Sequence, residues 1–406
     1  MRKQLHAIWF VVFLSLNWGV SVAYTAELKI EKTLTEADGL ASNTVLTIFE
    51  DSRGNMWFGT TDGLTRYDGE NFRTFTTEDG LSRNTTGLIF EDRHGMLWFA
   101  NGVVLSTLER GKPIDMSYMA MPLSELAKEL ENEIPTETLI PTPPRGVSRY
   151  DGDMFRIFTP ADGLLRDNVK DILEDKTGML WFATASGVNR YEAESFTGMA
   201  FNGPMGMDIL PDWWNQLTTI TQDTAGNFWF GSTAGITYYN VQTSDFRYFD
   251  INLIAFQEIE KPRTGNVTAL QFDAGDNLWI CREGMGDESS GIRRYDGEVL
   301  VSFPQSEALP MNSVHNILLD TSGNLWFAGT KKLPPTLHDT EERLTMTYAE
   351  AGVGVSVYNG ETFQNFNTDD GLPSNTVWSV FEDSSGKLWF ATDAGAAVGV
   401  YLPSEK

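Results

Sequence analysis

Short apolar runs, rather than helical stripes, organise this chain. The stretch 44–76 holds four of them, TVLTIFE, NMWFGT, LTRY and FRTFT, each four to seven residues long and rich in β-branched and aromatic side chains. DSRG divides the first two runs and YDGE the last two. Asp and Gly accept the turn and left-handed geometries that tight hairpins need. The pattern predicts a four-stranded antiparallel meander of about forty residues, the size of one propeller blade.

The pattern then repeats. Trp57, Trp98, Trp181, Trp229, Trp279, Trp326 and Trp389 each stand six residues after an Asp: Asp51, Asp92, Asp175, Asp223, Asp273, Asp320 and Asp383. Thirteen or fourteen residues before each Trp stands an Asn: Asn43, Asn84, Asn168, Asn215, Asn266, Asn312 and Asn375. Spacing this regular marks one structural unit copied in series. The Trp are expected to pack between neighbouring blades. The Asp are expected to accept backbone N–H bonds within their own turns, and the Asn to shape the loop entering each first strand.

The chain ends complement each other. The last copy has three runs, TVWSVFE, KLWFAT and AVGVY, while LKIEKTLTEADGL at 28–40 matches FRTFTTEDGL at 72–81. An N-terminal strand would therefore complete the last blade and remove the open edges of the sheet. The expected fold is all-β: a single closed seven-bladed β-propeller over 27–402 with four-stranded antiparallel blades.

Residues 1–26 differ in kind. Arg2 and Lys3 precede the apolar run AIWFVVFLSL at 7–16, with small residues at Ser21–Ala23 and again at Ala26. This reads as a secretory signal, with an uncleaved anchor as the alternative, and implies a periplasmic or extracellular protein with no membrane span once the signal is removed. Cys281 is the single cysteine, so packing must replace disulfides. A net charge of -26 argues against nucleic acid or an anionic membrane as partner.

DGLASNTVLTIFEDSRGNMWFGTTDGLTRYDG at 38–69 and DGLPSNTVWSVFEDSSGKLWFAT at 370–392 resemble the two-component regulator propeller repeat of bacterial sensors, and the resemblance extends over 28–402. It implies extracytoplasmic ligand sensing, often linked to polysaccharide use. No kinase follows the repeats, so a membrane-bound sensor partner would have to carry any signal. In shape the chain is also similar to streptogramin lyase, which implies a His-containing catalytic cluster that has no matching set here.

Variation between copies falls on one face. In a meander the a–b and c–d turns share one face, and the b–c and d–a loops the other. The b–c step from Trp98 to Tyr150 takes 52 residues and that from Trp326 to Tyr358 takes 32, against ten from Trp57 to Tyr67. The largest insertions are 103–144, with helical spacing over 124–134, and 331–350. Loops on a rigid scaffold are where binding usually resides.

Two positions early in the innermost strand vary most. One carries Leu46, Gly87, Lys170, Thr218, Thr268, His315 and Trp378, and the next Thr47, Leu88, Asp171, Thr219, Ala269, Asn316 and Ser379. Three residues after each Trp, six copies are small or polar, whereas the fifth has Arg282, followed by Glu283. Trp213 and Trp214 sit in a d–a loop. Lys170, Asp171, Trp213, Trp214, Arg282, Glu283, His315, Asn316 and Trp378 are therefore the candidate ligand contacts, suited to an oligosaccharide or other small polar molecule. No motif calls for a cofactor, a metal or a catalytic triad. A protein-interaction scaffold using 103–144 is the alternative. A glycan-cleaving enzyme using Asp171 and Glu283 is a third reading.

Overall fold

The computed structural model describes residues 26–102, 114–115, 146–199, 216–233, 235–250, 257–258, 266–283, 291–333, 336–340, 343–347 and 350–403. The signal segment, the helical stretch 124–134 and the pair Trp213–Trp214 lie outside them.

Seven antiparallel blades form; six run outward in chain order, with strands of the insertions intervening in the second and the sixth. In the first, Val45–Glu50 is innermost, followed outward by Met56–Thr60, Leu64–Tyr67 and Phe72–Phe75. The innermost strands of the others are Leu88–Glu91, Val169–Glu174, Leu217–Gln222, Asn266–Phe272, Ser313–Leu319 and Val377–Glu382. In the seventh, Glu27–Leu34 pairs with Gly395–Leu402 as the outermost strand, so the two ends of the propeller close one blade. The fourth blade carries one strand more than expected, since Gln257–Glu258 adds to its outer edge.

The Asp–Trp spacing has a sharper cause than turn formation alone. Asp51 Oδ1 accepts from the backbone N–H of Arg53 and Asn55, while Oδ2 accepts from the indole Nε1 of Trp57 at 2.8 Å. The same indole bond recurs in all seven blades, at 2.8–3.4 Å. The six-residue step is the path around a hairpin that brings carboxylate and indole together. Burial pushes the carboxyls of Asp175, Asp273 and Asp383 up, but the indole, side-chain and turn bonds together outweigh it and hold them below the usual value.

Each Trp then meets an aromatic ring of the next blade. Trp57 lies 5.4 Å from Phe99, Trp98 5.1 Å from Phe182, Trp181 4.8 Å from Phe228 and Trp279 5.6 Å from Phe327. Trp389 closes the circle at 5.7 Å from Phe58, tying the last blade to the first. Centroid separations in this range are those of favourable tilted and edge-on pairs.

A second belt runs on the a–b turn face. The carboxylates that end four inner strands each accept from the preceding blade's turn. Ser52 donates to Glu91, Arg93 to Glu174, Thr321 to Glu382 and Ser384 to Glu50. The last of these again bridges the seam.

The D-G-L motif is a loop device. In the turn Thr368–Asp370, the side chains of Asn367 and Asp370 form a capping box, and Gly371 takes a left-handed φ of 99°. Leu372 is then buried, and Asn375 Oδ1 accepts from Thr368 N–H. Asn84 does the same for Thr77, and Asn43 for Glu36.

The two large insertions meet. Within 331–350 the strands Thr336–Thr340 and Arg343–Thr347 form a hairpin, and Ile114–Asp115 from the 103–144 insertion pairs with its second strand. Both belong to b–c connections, so this small sheet belongs to the loop-rich face.

Candidate functional site: the central channel

The inner strands are irregular at one shared point. Register shifts fall between Val45 and Thr47, Val169 and Asp171, Leu217 and Thr219, Val267 and Ala269, Val314 and Asn316, and Val377 and Ser379. A β-bulge inserts one unpaired residue and re-aims its side chain. Six of the seven variable positions, Leu46, Lys170, Thr218, Thr268, His315 and Trp378, are these bulged residues. They and the residues that follow them, with Gly87 and Leu88 from the second blade, line one cavity of about 410 Å³. Every blade contributes to it, which places it on the axis of the ring.

The lining is two-sided. Trp378 packs on Leu46 and lies 5.4 Å from the His315 ring. This arc belongs to blades six, seven and one. Lys170, Asp171, Thr218, Thr219 and Thr268, from blades three to five, make a more polar arc.

Several lining groups serve the scaffold. Asp171 Oδ2 accepts from Thr219 Oγ1 at 3.0 Å and from Ile220 N–H at 2.9 Å, while Oδ1 accepts from Ile172 N–H. It clips blade three to blade four. Burial pushes its carboxyl up to about 6 despite those bonds. Asn316 Oδ1 accepts from Val380 N–H at 3.0 Å, the same clip between blades six and seven. Thr218 Oγ1 donates to the Val267 carbonyl. The Asp171 and Asn316 clips give a backbone N–H of the neighbouring strand an acceptor, and the Thr218 clip gives a backbone carbonyl a donor.

Arg282 and Glu283 lie apart from the cavity lining, a departure from the rim expected of them. Thr60, Thr184, Ser232 and Thr392, at the equivalent position in other blades, donate to the carbonyl three residues on and tie a short b–c turn. Blades five and six have longer b–c connections, and blade six has Gly329 at that position, with no side chain to make the tie. There Glu283 pairs with Lys332 and accepts from Asn266 Nδ2 at 3.2 Å. Lys332 also lies 3.9 Å from Glu350, whose Oε2 accepts from Thr330 Oγ1 at 2.9 Å. Thr330 Oγ1 is in turn 3.3 Å from His315 Nε2. Having given its one proton to Glu350, Thr330 accepts here, so Nε2 of His315 carries a hydrogen.

Lys332 and Glu350 were not among the expected site residues. They sit where the insertion 331–350 lengthens two strands of blade six, Leu325–Lys332 and Glu350–Tyr358, beyond the repeat. The length of that insertion was the available signal. Among the described residues, no three His, Cys, Asp or Glu side chains come together as a metal site requires.

A family model of the two component regulator propeller matches residues 39–62 and 371–394, the D-G-L loop and a–b hairpin of the first and last blades. The chain carries the two-component regulator propeller repeat. A curated relative, histidine kinase P4 of Formosa agariphila, is 44% identical over 43 residues, which are 11% of this chain and 3% of that one. Among solved structures, virginiamycin B lyase from Staphylococcus aureus superimposes with a TM-score of 0.53 at 12% identity, covering 93% of this chain and 99% of that one. The extracellular domain of a one component system from B. thetaiotaomicron gives a TM-score of 0.42 at 16% identity, covering 91% of this chain and 52% of that domain.

Proposed function

We propose that this two-component regulator propeller is an exported, non-catalytic ligand-binding protein that takes a carbohydrate or cell-envelope fragment into its central channel from the loop-rich face. In this reading residues 1–26 direct export, 27–402 form the sensor, and a membrane-bound protein receives the signal. The observation that carries it is the set of bulges. Six blades break their inner ladder at the same point and turn toward the axis six side chains of five different types. A scaffold whose centre served packing alone would have no use for that diversity. The tryptophan face of Trp378 suits the C–H surface of a sugar ring, and the polar arc suits its hydroxyls.

The glycan-cleaving alternative draws less support, since both of its carboxylates are engaged by the scaffold. Asp171 is held by three donors, and Glu283 by Lys332 and Asn266. The scaffold reading draws support from one feature, the sheet that joins the two insertions.

The test is a thermal-shift screen of the full chain against an oligosaccharide panel, with Trp378→Ala and Thr47→Trp alongside. Thr47 lines the cavity and is only half-buried, so an indole there fills the channel at modest cost. A ligand that binds only the folded chain raises the midpoint by mass action. The expected result is a glycan that stabilises the parent and neither variant. Stabilisation that survives Thr47→Trp would refute channel binding. Deleting 103–144 separates the scaffold reading, since channel binding should persist while a docked protein partner is lost.

A further inference from the structure

The channel's acceptors and donors are unequally committed. Both oxygens of Asp171 are occupied by the backbone and hydroxyl of neighbouring strands. The amide oxygen of Asn316 is taken by Val380 N–H, which leaves its NH2 end as the group available to a ligand. The hydroxyl protons of Thr218, Thr219 and Thr268 go to Val267 O, Asp171 and Cys281 O. On one arc, by contrast, donors remain. Trp378 is 6% exposed and Ser379 8%, and neither the indole Nε1 nor the Ser379 Oγ has a hydrogen-bond partner. Both residues line the cavity. Adjacent strand residues ordinarily point to opposite faces, but the bulge between Val377 and Ser379 turns both inward. Beside them stands the His315 ring, 5.4 Å from Trp378, with a protonated Nε2 held through Thr330 by Glu350.

A buried donor without an acceptor is a standing cost to the fold. Two of them on consecutive residues that line one cavity, beside an amide NH2 and an imidazole, describe a receptor for an oxygen-rich anionic group. We propose that Trp378, Ser379 and Asn316 form a carboxylate subsite, so that the ligand of the channel is an acidic one, a uronate-bearing sugar rather than a neutral one. The indole N–H and the serine hydroxyl each donate to the carboxylate. The sugar ring to which it is attached lies toward Leu46 and the open channel. This rests on the channel reading above and narrows it to one chemical class.

The experiment is calorimetric titration of the full chain with three probes: galacturonate and glucuronate oligomers, their methyl esters, and the matching neutral galactose and glucose oligomers. Trp378→Phe keeps a ring and removes only the N–H. Ser379→Ala removes a hydroxyl that has no partner to lose, so it should fold as the parent does. The parent should bind an acidic oligomer about tenfold or more tightly than its methyl ester, as expected for charge-assisted bonds. Each variant should erase that preference while its melting midpoint holds. Equal affinity for acid and ester, a preference that survives both variants, or no binding of any probe would overturn the proposal. If a neutral oligomer binds, is indifferent to Trp378→Phe and is lost in Thr47→Trp, the carboxylate subsite fails and the channel reading stands. If binding is untouched by Thr47→Trp, the channel reading itself fails.

Discussion

Asp171 shows how one residue can look like a ligand contact and behave as a fastener. By position it belongs to the variable ring, and the sequence offered nothing to separate the two roles. The deciding fact is that an inner strand has a neighbour across the blade boundary whose N–H groups need acceptors, and only the fold reveals that neighbour. Asn316 performs the same clip without a charge. The two differ in what they do to stability. Because its folded value of about 6 lies above the unfolded 3.8, the folded chain holds a proton at Asp171 that the unfolded chain releases. Between those values stability therefore falls as pH rises, and the deficit persists at neutral pH. Asp171→Asn retains an acceptor for Thr219 or Ile220 and removes the desolvated charge. Thermal melts should show the variant more stable than the parent at mildly alkaline pH, with the difference vanishing once the pH falls below the unfolded value. A variant less stable than the parent at alkaline pH would mean that the ionised carboxylate is worth more to the blade contact than its burial costs.

At the scale of the element, the strands were legible because each of their parts repeats. The Asp–Trp interval and the D-G-L loop recur in register, and each now has a bond that explains it; the tyrosine before the c–d turn donates to the glycine carbonyl two residues on in blades one, two, five and six. The b–c connections were not legible, because there the copies diverge. The position three after the Trp reads as one of a series and ties a turn in blades one, three, four and seven, yet blade six has a glycine there, with no side chain to tie it. Gly329 in blade six is constrained differently: an added Cβ would stand 2.2 Å from the Ser313 carbonyl oxygen. The contact is with backbone, which cannot swing aside as a side chain does. Gly329→Ala, and still more the Thr common at that position, should lower the thermal midpoint by an amount matching about 1–3 kcal/mol of overpacking. An unchanged midpoint would show that the inner strand of blade six yields more readily than its hydrogen bonds suggest.

At the scale of the whole molecule, the ring depends on its seam. Three features join the first and last blades: the strand Glu27–Leu34 on Gly395–Leu402, the Trp389–Phe58 contact and the Ser384–Glu50 bonds. The complementary ends of the sequence announced the first of these and the repeated Trp the second, whereas only the fold reveals the carboxylate belt. Removing residues 26–34 would leave a hydrogen-bonding edge bare and take buried Leu28 and Leu34 out of the clusters they share with Ala397 and Ala396. Calorimetry of the shortened chain should show a lowered, broadened transition and concentration-dependent aggregation. A peptide spanning 26–40 should restore the midpoint in proportion to its concentration. A shortened chain that melted like the parent would show that the belts alone hold the ring.

The claim that organises these scales is that the bulged inner strands aim their side chains at a ligand on the axis. The most direct measurement is a crystal structure of the full chain soaked with whichever glycan raises its melting midpoint most. The account calls for ligand density within the ring of bulged residues, against the Trp378 face and within hydrogen-bonding distance of its Nε1. Density on the blade edges or among the insertions, with the channel holding only water, would contradict it.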